Sequence, residues 1–241
     1  MLHTCRAIVF KVTPYNDKSQ VVQLYTENFG MQSYLVHVSA SKKNKNKAAY
    51  FQPLTLLDVV ISHKEKEGLN SLKELSVNHI FQSISESIEK QSVLLFLNEV
   101  LYKCIKESQQ NADLFGFIFD SLILFDKLKQ GISNFHIYFL LKLSSYLGFE
   151  PHGKYSASTS FFDLKEGKFV SVQPKHPISL NAAESLIFYS YLLTDEEHLA
   201  ELKFSNEARK AMLASVILYY ELHIDYFKNL KSITILQEVF D

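Results

Sequence analysis

Apolar and polar residues alternate in five short runs before residue 80, and after it the spacing changes. Arg6-Ala7-Ile8-Val9-Phe10-Lys11-Val12, Gln20–Thr26, Met31–Val38, Leu54–Ile61 and Leu72–Val77 are rich in branched and aromatic residues. This is the composition of half-buried strands. Turn-forming clusters separate them: Thr13-Pro14-Tyr15-Asn16-Asp17, Asn28-Phe29-Gly30 and the charged Lys64-Glu65-Lys66-Glu67-Gly68.

Five strands joined by short turns, with no helix between them, predict a small closed barrel over residues 1–79. Closure removes sheet edges that would otherwise pair with other chains. The five-stranded oligonucleotide-binding (OB) barrel is the fold that fits.

Beyond residue 80 apolar positions recur at three and four. Leu94, Leu97, Leu101, Cys104 and Ile105 predict one helix; Leu114, Ile118, Leu122, Phe125 and Leu128 predict a second, closed by Gly131. Phe139, Leu140, Leu143 and Leu147 predict a third, stopped by Gly148 and Pro151. Leu186, Ile187, Ser190 and Leu193 predict another behind an Asn181 N-cap. Leu213, Ile217, Tyr220, Ile224 and Phe227 mark a long last one starting near Ser205. Residues 149–180 interrupt the bundle with three of the five prolines and two glycines. Within them Ser160–Leu164 and Lys168–Val172 flank Lys165-Glu166-Gly167 as a β-hairpin. The expected architecture is therefore α+β: an OB barrel (1–79), a helical bundle (80–148 and 181–241) and a small hairpin insert (149–180).

Charge divides along the same line. The formal net charge is -1, yet residues 1–79 hold ten Lys/Arg against six Asp/Glu. Four of those lysines, Lys42, Lys43, Lys45 and Lys47, lie between the third and fourth strands. Lysines on a loop can meet phosphates and release their counterions, or can simply keep a loop solvated. Barrels of this kind bind single strands by joining a basic groove to aromatic platforms, and Tyr25, Tyr34, Tyr50 and Phe51 lie near in sequence. Each of those rings is also a natural core residue.

Catalytic signatures are scarce. Ser39-Ala40-Ser41-Lys42 has the Ser-x-x-Lys spacing, but it ends a strand where that chemistry needs a helix start. Seven glycines include no phosphate-binding loop, and Glu196-Glu197-His198 lacks a His-Glu-x-x-His frame. His152 and His176 without neighbouring cysteine make a poor metal site, and two cysteines, Cys5 and Cys104, support neither a disulfide framework nor a four-thiolate zinc site. No secretory leader and no run of about 18 apolar residues is read, so a cytoplasmic location is expected, without membrane contact.

One resemblance runs through the chain. Residues 6–26, with an apolar strand ending in lysine, a Pro-Tyr turn and a second strand ending Tyr25-Thr26, resemble the opening of the RecO family of bacterial recombination mediators. Gly30, the basic stretch after strand three, Gln52-Pro53-Leu54-Thr55-Leu56-Leu57, the Leu147-Gly148-Phe149-Glu150-Pro151 helix end and Leu230-Lys231-Ser232 follow in the family's order. The resemblance implies a non-enzymatic protein without cofactor or small-molecule substrate. It would bind single- and double-stranded DNA, anneal complementary strands and, with RecR, help load RecA onto strands coated by single-stranded-DNA-binding protein. It also implies a cytoplasmic, nucleoid-associated place. Many members hold zinc with four cysteines in the insert; residues 152–180 contain none, so Phe161, Phe162, Phe169 and Val170 are expected to hold it instead. Lys42, Lys43, Lys45, Lys47, Arg6 and Tyr34 are the expected DNA contacts. Lys103, Lys106, Lys127 and Lys142 could serve the pocket for the acidic tail of the single-stranded-DNA-binding protein. A competing expectation is a protein–protein adaptor with little DNA affinity of its own.

Overall fold

A computed structural model describes residues 2–37, 48–62 and 70–240. Five strands form a closed barrel: β1 (Leu2–Asn16), β2 (Ser19–Thr26), β3 (Gly30–His37), β4 (Leu56–Ser62) and β5 (Asn70–His79). Their order is β1-β2-β3-β5-β4, and β4 pairs antiparallel with β1 to complete the ring. The β3–β5 contact is parallel, with Tyr34 opposite Asn70. Alternation decides which side chains fill the interior. Cys5, Ala7 and Val9 of β1 point inward with Val22, Leu24, Tyr34, Val36, Leu57, Val59 and Ile61. Small residues on β1 leave room for the Tyr34 ring at the centre.

Two irregularities in β1 matter. Its register against β2 shifts between Val9 and Lys11, and again between Pro14 and Asn16. The first bulge returns Val12 to the barrel core and turns Lys11 outward.

By compactness the chain divides into two units at 126/127. The first unit, Met1–Asp126, includes α1 (Ser83–Glu86), α2 (Ile88–Cys104) and most of α3 (Ala112–Lys127). The reason lies in the outward side of the barrel, which is also apolar. Phe10 and Tyr25 are buried there, Tyr25 meets Phe115 of α3 at 5.7 Å between ring centres, and Phe115 stacks on Phe119. The β2–β3 turn is tied down as well: Met31 donates its amide to the Glu107 carbonyl at 3.0 Å.

In the second unit, Lys127–Asp241, α4 (Ile132–Tyr146) is buried on most sides. Gly131, read above as a helix stop, is instead the N-cap of α4, with φ of 76°. A side chain there would press on the backbone of Leu199 and Ala200, so glycine is required by both conformation and space. Around α4 lie α5 (Ala182–Leu193), α6 (Asn206–His223) and α7 (Ser232–Val239). Asn181 caps α5 in a full capping box, as expected, and Ser205, near the expected start of the long last helix, caps α6. The stripe through Ile224 and Phe227 does not continue the long helix, which ends at His223; α7 is an additional short helix.

The insert is a three-stranded sheet, β7-β6-β8, from β6 (Phe161–Asp163), β7 (Lys168–Val170) and β8 (Ser179–Leu180). Phe162 is fully buried, with ring centres 4.9 Å from Phe169 and 4.5 Å from Phe188 of α5. Phe161 and Val170 are only half-buried. Aromatic packing against α5 gives the hairpin its buried core.

Candidate nucleic-acid interface

The outer face of β1, β2 and β3 carries Lys11, Thr13, Val21, Gln23, Ser33 and Leu35, which register places side by side. At one end of this face α2 approaches. The Lys11 ammonium lies 5.0 Å from the centre of the Tyr102 ring, and Lys106 lies over the same ring at 4.1 Å. A tyrosine between two ammonium groups concentrates positive charge while softening its desolvation. At the other end the β1–β2 hairpin projects to Tyr15, Asp17 and Lys18, all exposed. Asn16 sets that turn by accepting the Lys18 amide at 2.9 Å. At its base Ser19 pairs with His37, and Ser19 Oγ lies 2.9 Å from His37 Nδ1.

The sequence-expected residues fare unequally. Lys42, Lys43, Lys45 and Lys47 lie outside the described residues, as does the Ser-x-x-Lys match. Arg6 is half-exposed but engaged: its guanidinium donates to both Glu27 carboxylate oxygens, at 2.8 and 3.0 Å, and lies 4.7 Å from the centre of the Phe119 ring. The Glu27 hydrogen bond holds the Arg6 pKa above its ordinary value, and Arg6 holds the Glu27 carboxyl below its own. Arg6 thus pins β1 to the β2–β3 turn and to α3. Tyr34 lies in the barrel core with no exposed surface, so its ring is no platform. Tyr25 and Phe51 are buried too, and Tyr50 packs half-buried on the barrel core.

The lysines expected in a partner pocket are not gathered. Lys103 and Lys106 sit on α2 or just beyond it, and Lys127 is exposed at the end of α3. Lys142 donates to the Leu192 carbonyl at 3.2 Å and so closes the end of α5. The second unit instead sets Arg209 and Lys210 of α6 beside Leu213, Leu236 and Phe240 in one hollow floored by His136. The His136 pKa falls to about 3, driven first by burial and then by the Arg209 charge. A neutral imidazole beneath two cations makes this hollow apolar inside and basic at its rim. Sequence reasoning passed over Arg209 because it lies in the first turn of a helix read for its apolar stripe.

Among the described residues no three His, Cys, Asp or Glu side chains gather as metal ligands. His176 pairs with Asp163 at 3.3 Å, and His152 bonds through its backbone to Gly167 and Phe169. No helix among the described residues is long and apolar enough to cross a membrane.

A closed barrel in the order β1-β2-β3-β5-β4, followed by helices and a small β insert, defines an OB-fold protein with a helical second unit. Residues 1–81 match the family profile described as Recombination protein O N terminal, and residues 85–232 match that described as Recombination protein O C terminal. The chain belongs to the RecO family. Among its relatives is the "DNA repair protein RecO" of Flavobacterium psychrophilum, 36% identical over 98% of both chains. Proteins of the same name from Bacteroides fragilis and Azobacteroides pseudotrichonymphae are 34% and 32% identical over the full length of both chains.

Proposed function

We propose that this chain is a DNA repair protein and a recombination mediator. It binds single- and double-stranded DNA, anneals complementary strands and, with RecR, helps load RecA onto strands coated by single-stranded-DNA-binding protein. It performs no covalent chemistry, and it works in the cytoplasm at the nucleoid. The observation that carries this reading is the end-to-end match to relatives named DNA repair protein RecO, with both family regions present in order.

Geometry supports the division of labour. The outer face of β1–β3, with Lys11 and Lys106 at one end, suits a phosphate backbone, and the lysine-rich segment that follows β3 in sequence adds four positive charges. The hollow at Arg209 and Lys210 suits a peptide that ends in a carboxylate beside an aromatic ring, which is the chemistry of the partner's tail. The test is fluorescence anisotropy with a labelled single-stranded oligonucleotide across a salt series, paired with a strand-annealing assay. Binding that weakens steeply with salt, together with accelerated annealing, is the expected result. Absence of binding at low salt would sink the mediator reading and leave a protein–protein adaptor.

A further inference from the structure

The aromatic residues singled out as base platforms are unavailable: Tyr25, Tyr34 and Phe51 are buried, and Tyr50 packs on the barrel core. A different aromatic stands free. Tyr15 is 61% exposed, and among the described residues of the first unit no other Phe or Tyr is classed as exposed. It sits where β1 breaks register for the second time, between Pro14 and Asn16. A bulge releases a residue from strict alternation and re-aims its side chain.

The turn beyond it is held by the Asn16–Lys18 bond and by the Asn16–Ser19 pair, so the backbone under Tyr15 is set in advance. An exposed ring at the turn end of the β1–β2 hairpin adds nothing to the core. Lys11 and Lys18 are exposed on the same hairpin.

We infer that Tyr15 is a stacking platform for an unpaired base of single-stranded DNA, with Lys11 and Lys18 of the same hairpin meeting the phosphates on either side of that base. This inference rests on the DNA-binding reading above. Stacking is indifferent to base identity because every base has a π-face, and it is absent where bases are already paired in a duplex. Tyr15 therefore gives the barrel a preference for single strands without sequence choice.

The chain contains no tryptophan, so Tyr15→Trp installs a single indole reporter. Its emission should be quenched by an oligothymidylate and unchanged by an abasic strand of equal length, which carries the same phosphates. Tyr15→Ala should bind the oligothymidylate roughly tenfold more weakly with an unaltered salt slope, while Tyr15→Phe stays within about twofold of wild type. Melting curves of the three variants should coincide with wild type, since the side chain lies outside the core. Wild-type binding together with an Ala variant of equal affinity, or an indole that is not quenched while anisotropy reports a bound strand, overturns the inference alone. A wild type that binds no oligonucleotide overturns this inference and the DNA-binding reading together.

Discussion

The Lys90 ammonium donates to the main-chain carbonyl of Asp126 at 2.9 Å, while the carboxylate of that same residue faces the opposite helix end. There it accepts the amides of Gln82 (3.1 Å) and Ile84 (3.0 Å). Lys90 also reaches the Phe125 carbonyl at 2.9 Å and Ser83 Oγ at 2.6 Å. Both residues are buried. One side chain thus closes the C-terminal end of α3, and the other opens α1 just after the barrel's last strand. Buried charges of this kind are tolerated because each is surrounded by partners. Lys90→Met, which removes a charged donor to the Phe125 and Asp126 carbonyls and to Ser83 Oγ, should destabilise the first unit by about 1–3 kcal/mol. Asp126→Asn, which weakens the acceptor beside a buried cation, should cost about 3 kcal/mol or more. Calorimetry should read these as melting temperatures lower by ~2–4 °C per kcal/mol.

The same carboxyl predicts an acid limb. Burial alone would raise the Asp126 pKa, but the Ile84 and Gln82 amides, His79 and Ser83 outweigh it and hold the pKa below its ordinary 3.8. A group whose folded pKa lies below its unfolded one adds stability that is complete above the unfolded value. That stability is lost as pH falls from the unfolded value through the folded one. Wild type should therefore lose thermal stability as pH is taken down through 3.8, and Asp126→Asn should lose less over the same interval. Parallel losses in the two proteins would show that other carboxyls dominate.

Gly30 combines a φ of 60° with a close backbone neighbour. A β-carbon there would lie 2.7 Å from the Glu107 carbonyl oxygen and closer still to that of Gln109. Neither is a movable side-chain tip. Gly30→Ala should cost on the order of 2–3 kcal/mol by adding crowding to backbone strain. Gly148→Ala supplies the contrast. Its φ is 84°, but nothing stands within 4 Å of the added carbon, so the cost should stay near ~1 kcal/mol. Chemical denaturation of both variants tests the ordering, and equal losses would remove the packing part of the explanation.

Aromatic rings, not a metal, are expected to hold the insert. Phe162 lies among Phe169, Phe188 and Tyr219, with the Tyr219 ring centre at 6.0 Å. Phe162→Ala should destabilise the second unit by about 3–5 kcal/mol. A chelator should leave the wild-type melting temperature unmoved, and elemental analysis should find less than one zinc per chain. A stoichiometric zinc, or a melting point that falls with chelation, would contradict this account.

How much of this was legible in the sequence follows from what alternation and periodicity can encode. Strand runs and helix stripes mark one buried face each, so the barrel, the hairpin at Lys165-Glu166-Gly167, the Asn181 cap and the helix start near Ser205 could be read directly. Alternation says nothing about a second buried face. Tyr25 could be read as a platform or as core, and it is core on the outward side, where α3 covers it through Phe115. The same cover puts most of α3 in one compact unit with the barrel. Tyr15 was read as a turn residue because turn clusters are judged by polarity, and exposure of an aromatic inside one carries no periodic signal. Arg209 and Lys210 meet Leu236 and Phe240 only through a helix, α7, too short to declare itself by pattern.

The final prediction concerns the lysine-rich segment. Phosphate contacts act through counterion release, so for single strands the slope of log affinity against log salt steepens by about 0.7 per contact. Replacing Lys42, Lys43, Lys45 and Lys47 with glutamine removes up to four such contacts and should flatten the slope by up to about 3. The loss should be similar for all sequences, because phosphates carry no base identity. Tyr15→Ala should do the reverse, lowering affinity at every salt concentration while leaving the slope alone. The quadruple variant and Tyr15→Ala, measured singly and combined on one oligonucleotide, therefore separate charge from stacking. If the quadruple variant keeps the wild-type slope, the phosphates are met elsewhere, and Lys11 with Lys106 at Tyr102 becomes the next pair to neutralise.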